Sequence, residues 1–272
     1  MIYNKRRLKI YYFVLFIIVV LSIIISIFNS YNFYINDLIK NKIMFFLPSI
    51  LILIAAYIIR FLVIDINRSI KIIDDTYPFK SKNTNFKIYI NFLFVAMHIG
   101  LLATITIHYH FFTGAVIYFF MHIAIIFAFS GIINLNLGAV IKNKKIFIFY
   151  LLNFIFWFFI SNIIFFFFAY KNLNSLIFLP YVYILGLMTC ISFLGLFYTK
   201  RSALFRLVTA LGALIFLISD TFIGYAGKKE MGTIFLYFIN PTYVLSIIMF
   251  TYSQLFINKK QKKKYGIFIK KY

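Results

Sequence analysis

Residues 146–168 read IFIFYLLNFIFWFFISNIIFFFF, a run without a single charged side chain. At 1.5 Å of rise per residue a helix of this length is about 35 Å long, enough to cross a hydrocarbon layer about 30 Å thick. A barrel strand would be roughly ten residues long and would alternate polar with apolar side chains. Stretches such as 160–169 instead place apolar groups on every side, so the period is not that of a strand. Working outward, comparable runs lie at about 9–29, 43–64, 88–107, 113–134, 176–198, 203–225 and 234–257. The reading predicts an all-α bundle of eight transmembrane helices in one domain, followed by a basic tail at 258–272. Backbone in lipid must satisfy its hydrogen bonds internally, and the prolines Pro48, Pro180 and Pro241 accordingly fall in the outer thirds of their runs.

Composition agrees with this class and excludes a soluble fold. Hydrophobic residues make up 64% of the 272 and charged residues only 12%, with 38 Phe and 21 Tyr, and mean hydropathy is +0.96, far from the balance of soluble domains. A net charge of +22 raises the question of a nucleic-acid partner, and the placement of the basic residues argues against one. They alternate by side. Lys5, Arg6, Arg7 and Lys9 precede the first run, Arg68, Lys71, Lys80, Lys82 and Lys87 follow the second, Lys142, Lys144 and Lys145 the fourth, and Lys200, Arg201 and Arg206 the sixth. The intervening connections are poor in them, with Lys40 and Lys42 offset by Asp37. This asymmetry predicts both termini on the cytoplasmic side. The lysines of 259–271 serve as a topology anchor and can also meet anionic lipid headgroups. The first run is too long for a signal peptide and lacks a small-residue cleavage site, so it is expected to remain as a helix. The longest polar connection, 65–87, is too short for a soluble enzyme domain. Cys190, the only cysteine, lies inside the sixth run, which rules out a disulfide framework.

Function must then reside in polar groups within the bilayer, where they are expensive. Asp220 is the only acidic residue inside any run, at about 2.5–3.5 kcal/mol near mid-membrane. Gly212, Phe216 and Gly224 share its helical face and Ser219 precedes it. That face either admits a ligand or packs closely on another helix. His98 and His122 sit at a similar depth, and Asn240 and Tyr243 reach the same layer from the eighth run, whose face also carries Thr251 and Gln254. A shared polar pocket is geometrically feasible, although for each group alone a bond between helices is the stronger reading. His108 and His110, two apart in a short connection, need not converge on a metal, and neither HExxH nor CxxC spacing occurs. No phosphate-binding glycine loop and no GxSxG elbow is found. The aromatic residues near run ends, such as Tyr11, Tyr12, Tyr31 and Tyr34, read as interfacial belts.

The stretch Gly212-Ala-Leu-Ile-Phe216-Leu-Ile-Ser219-Asp220-Thr-Phe-Ile-Gly224-Tyr resembles the Gly-Ala-Leu-x-Phe-x-x-Ser-Asp signature of the YhhN-like, or lysoplasmalogenase, membrane family. Tyr252-Ser253-Gln254-Leu-Phe-Ile is similar to its closing Tyr-x-Ala-Gln-x-Leu-Ile pattern, with Ser253 in place of alanine. Phe111-Phe112-Thr-Gly114 followed by His122 and Phe127 resembles its Phe-x-x-Gly and His segment. One departure stands out: the family's third span carries a Gly-Asp pair, whereas Ala96-Met97-His98-Ile99-Gly100-Leu101 has no carboxylate.

The resemblance implies a bacterial cytoplasmic-membrane hydrolase that cleaves the vinyl ether of a lysoplasmalogen to a fatty aldehyde and a glycerophospho-base, without a cofactor. Such a reaction needs an acid to protonate the β-carbon and a group to handle the attacking water. Asp220 is the expected acid, His98 or His122 the group that acts on water, and Ser219, Asn240, Tyr243 and Gln254 the expected substrate contacts. The substrate would be a lipid drawn from the bilayer. The competing class is a protein that binds without chemistry, as a lipid or small-solute transporter or a degenerate member of the family, though no internal repeat with paired broken helices supports transport.

Overall fold

The computed structural model describes residues 5–36, 42–62, 84–107, 109–133, 143–197, 201–228 and 234–256. Among these residues the chain is all-helical. The long helices are α1 (Lys5–Asn36), α2 (Lys42–Phe61), α3 (Thr84–Ile107), α4 (Phe111–Ile133), α5 (Lys144–Ile164), α6 (Leu179–Leu196), α7 (Ala203–Lys228) and α8 (Ile234–Ser253). Among the described residues six helical segments, those of α1, α3, α4, α5, α6 and α7, are long and apolar enough to cross a membrane. The basic tail, most of the 65–87 connection and His108 lie outside the described residues.

Local chemistry sets the helix ends. The Asn143 side chain caps α5 by accepting the Ile146 amide at 3.3 Å, which satisfies one of the unpaired N–H groups of the first turn. Pro180 stands in the first turn of α6, where its missing N–H leaves no bond unmade. Arg206 donates to the Leu196 carbonyl at the end of α6, a cation placed at the negative end of the helix dipole. Pro48 and Pro241 lie within α2 and α8. Helix α5 ends in a π-helical turn, Phe165–Ala169, and a short 3-10 helix, Leu173–Phe178, leads into α6.

Seven helices close a ring in the order α1, α2, α3, α4, α6, α7, α8 and back to α1, while α5 packs outside on α6. Helix α8 also touches α2 and α3 across the ring. The core is a stack of rings and small groups: Phe216 lies parallel to Phe250 at 6.3 Å, and Phe129 meets Phe250 edge-on at 5.5 Å. Outward faces carry Phe and Leu side chains, such as Leu152, Phe159 and Phe167 on α5 and its π-turn. On a soluble protein such a surface would aggregate; against lipid it is the expected solvent contact.

Two glycines explain how α7 sits so close to its neighbours. A Cβ on Gly212 would stand 2.9 Å from Cε1 of Phe250 and 3.1 Å from Cβ of Met249, and one on Gly224 would stand 3.3 Å from Cβ of Ala169. Both positions on the Asp220 face are therefore packing contacts, the second of the two roles that the spacing left open.

Candidate functional site

Three helices of the ring meet around Asp220. From α7 its carboxylate accepts a hydrogen bond from the Tyr181 hydroxyl of α6, and Oδ2 lies 3.9 Å from Nε2 of His122 on α4. The His122 side chain is fully buried and that of Asp220 is 6% exposed. Nδ1 of His122 stands 2.6 Å from the Tyr118 carbonyl; a carbonyl only accepts, so Nδ1 carries a proton, and in the neutral form of the ring the lone pair is at Nε2. Among the described residues Nε2 has no hydrogen-bond partner, and 3.9 Å is too long for one. The imidazole is held edge-on to Phe216 at 4.8 Å and to Tyr181 at 5.4 Å, so its direction is set by packing on two sides.

A second polar chain adjoins this cluster. Thr104 of α3 lies 2.8 Å from the Tyr118 hydroxyl and 3.2 Å from that of Tyr243 on α8, and its own hydroxyl donates to the Gly100 carbonyl at 2.8 Å. The Tyr243 ring meets Tyr118 at 5.7 Å and Phe216 at 5.6 Å. Phe216 thus touches both the hydroxyl chain, at Tyr243, and His122. Tyr243 also lines a small crevice with Ser49, Met97, Gly100, Met121 and Ile247.

The residues expected from the sequence divide accordingly. Asp220 and His122 come together. Tyr243 joins them through Phe216, and Ser219, fully buried, donates to the Ile239 carbonyl at 3.0 Å, which ties α7 to α8 immediately before Asn240. Asn240 is half-buried. His98 lies elsewhere: its Nδ1 contacts the Phe94 carbonyl at 2.9 Å and its Nε2 the Tyr57 hydroxyl at 2.9 Å, on the side of α3 that faces α2. The physical reason is helical phase. Gly100 points at Met121 and Tyr243, and a residue two positions earlier is turned by about 200° from it. Gln254 is buried at the start of the 3-10 turn that follows α8, its amide on the Thr251 carbonyl at 3.1 Å; fourteen residues from Asn240, it is about 21 Å away along the helix axis.

Tyr181, Tyr118 and Thr104 were not singled out by the sequence. Tyr118 had a readable signal, since it precedes His122 by four residues on one helical face. Tyr181 had none among 21 tyrosines. Among the described residues no three His, Cys, Asp or Glu side chains converge as a metal site would require.

Comparison with protein-family models, with curated proteins and with solved structures finds no match. The fold and the cluster thus define a class, a helical integral membrane protein with a buried His–Asp–Tyr constellation.

Proposed function

We propose that this chain is an eight-span membrane hydrolase, with both termini cytoplasmic, that cleaves the vinyl ether of a lysoplasmalogen to a fatty aldehyde and a glycerophospho-base. The observation that carries the reading is the meeting of Asp220 and His122 in the buried ring, with the unpartnered Nε2 of His122 facing Oδ2 of Asp220 at 3.9 Å. A buried group without a partner is uncommon and calls for an explanation, and intramembrane ionisable residues are functional candidates by default. The resemblance of 212–225 and 252–257 to the YhhN-like signatures supports the same assignment, and the alternation of basic connections supports the orientation.

The chemistry follows from the positions. Asp220 in its acid form delivers a proton to the β-carbon of the vinyl ether, and the Tyr181 hydroxyl stabilises the carboxylate left behind. The adjoining carbon becomes oxocarbenium-like. Water adds there while Nε2 of His122 takes up its proton. The resulting hemiacetal collapses: protonated His122 gives its proton to the glycerol oxygen as the carbon–oxygen bond to glycerol breaks, and the hemiacetal hydroxyl returns a proton to the Asp220 carboxylate, which releases the aldehyde and restores both residues. His122 fills the role for which His98 was the other expectation, since His98 lies against Tyr57. The lipid tail would stay among the helices while the ether reaches the polar layer.

The burial of the cluster favours one other reading, in which His122, Tyr181 and Asp220 only tie α4, α6 and α7 together and the protein acts by binding lipid or solute. Incubation of the purified protein with 1-alkenyl, 1-alkyl and 1-acyl lysolipids in D2O separates the two. The proposal predicts aldehyde from the alkenyl substrate alone, with one deuterium on the carbon next to the aldehyde. Absence of aldehyde from folded protein across headgroups and pH would sink the hydrolase and leave the binding role.

A further inference from the structure

A second polar cluster lies on the exposed seam between α2 and α3, apart from Asp220 and His122. Tyr57 and Arg60 are one turn apart on α2; Asn91, Phe94 and His98 share a face of α3. They pair in two steps. The Tyr57 hydroxyl meets Nε2 of His98 at 2.9 Å, and Arg60 donates through Nη1 to Oδ1 of Asn91 at 2.6 Å. The Phe94 ring lies between the steps, 4.8 Å from the Arg60 guanidinium and edge-on to Tyr57 at 4.7 Å. This seam is open rather than packed: Tyr57 is 53% exposed, and Asn91 is exposed as well.

The hydrogen-bond roles determine what the seam presents outward. Asn91 spends its acceptor on Arg60, so its NH2 group remains. Arg60 has further N–H groups beyond the one given to Asn91. Among the described residues it has no carboxylate partner. Arg60 is in the last turn of α2, at the level where a membrane helix meets headgroups, and the flat face against Phe94 holds the guanidinium in place. Donors and a positive charge, fixed at the membrane surface, are complementary to phosphate oxygens. Exposed Ile54, Phe61, Val95 and Leu102 flank the polar pair with apolar surface suited to acyl chains.

From this geometry we infer that the α2–α3 seam is a binding site for one anionic phospholipid, its phosphate on Arg60 and Asn91 and a chain lying along the exposed apolar residues. The test is native mass spectrometry of the full-length protein in detergent, titrated with phosphatidylglycerol or phosphatidylcholine of matched chains. Wild type should retain one phosphatidylglycerol more tightly than phosphatidylcholine. Arg60→Gln removes the charge and should weaken that first binding about fivefold, the scale expected of one basic residue at a membrane surface. Asn91→Asp keeps the acceptor for Arg60, so the helix pair is preserved, while the added carboxylate neutralises the guanidinium and repels phosphate; it should weaken binding comparably and decides the matter if Arg60→Gln does not fold. Wild-type affinity in both variants, or equal affinity of wild type for the two lipids, would overturn the site. So would self-association that Arg60→Gln abolishes with lipid binding unchanged, since the occupant would then be a second copy.

Discussion

Alanine at position 212 introduces a methyl into the tightest part of the α7–α8 contact. The new carbon would lie 2.9 and 3.0 Å from Cε1 and Cδ1 of Phe250 and 3.1 Å from Cβ of Met249, whereas carbons settle at about 3.5–4.0 Å. Phe250 cannot retreat, because it is fully buried with Phe216 against one face and Phe129 at its edge. Overpacking of this kind costs about 1–3 kcal/mol. Removing a glycine from a helix returns about 1 kcal/mol, which leaves Gly212→Ala destabilised by about 1 kcal/mol. Phe250→Leu removes the obstructing ring edge at a cost of its own, and in that background the alanine should become neutral or stabilising. Equilibrium unfolding in mixed micelles of the four proteins gives the coupling energy. Equal effects of Gly212→Ala in both backgrounds, or a more stable single variant, would refute the assignment of Gly212 to packing.

Two further outcomes follow from the hydrogen bonds. Tyr181→Phe deprives the buried Asp220 carboxylate of its donor, which should lower stability by about 1–3 kcal/mol in the same unfolding assay and reduce aldehyde release; unchanged values in both would contradict the pairing of α6 with α7. Ser219→Ala removes the 3.0 Å bond to the Ile239 carbonyl and should lower the unfolding free energy by about 1 kcal/mol with the substrate preference intact, because the hydroxyl is committed to a neighbouring helix. A change of preference between headgroups in Ser219→Ala would instead make Ser219 a substrate contact.

What was legible in the sequence was hydropathy and charge. Long apolar runs set the helices, since a period of 3.6 and a bilayer-length span need no knowledge of neighbours. Asp220 and His122 stood out because polar groups there are rare. Their convergence was only a matter of common depth, and depth is read from sequence position, whereas rotation about the helix axis is not. His98 illustrates the difference: it has a suitable depth, yet its phase turns it to Tyr57. Gln254 shares a helical face with Asn240 and still lies just past the opposite end of α8. Tyr181 was illegible because its role comes from a contact between residues 39 apart in the chain. The glycines carried two readings with one pattern, and only the positions of Phe250 and Ala169 decide for packing.

On the proposed chemistry Asp220 protonates a vinyl ether. The most direct test of this step is fatty aldehyde release from a lysoplasmalogen by purified wild type and Asp220→Asn, each shown to be folded by its unfolding midpoint. Turnover is expected in wild type and should be lost in Asp220→Asn, whose amide can still accept from Tyr181 but does not serve as an acid. Undiminished aldehyde release by folded Asp220→Asn would contradict this role of Asp220.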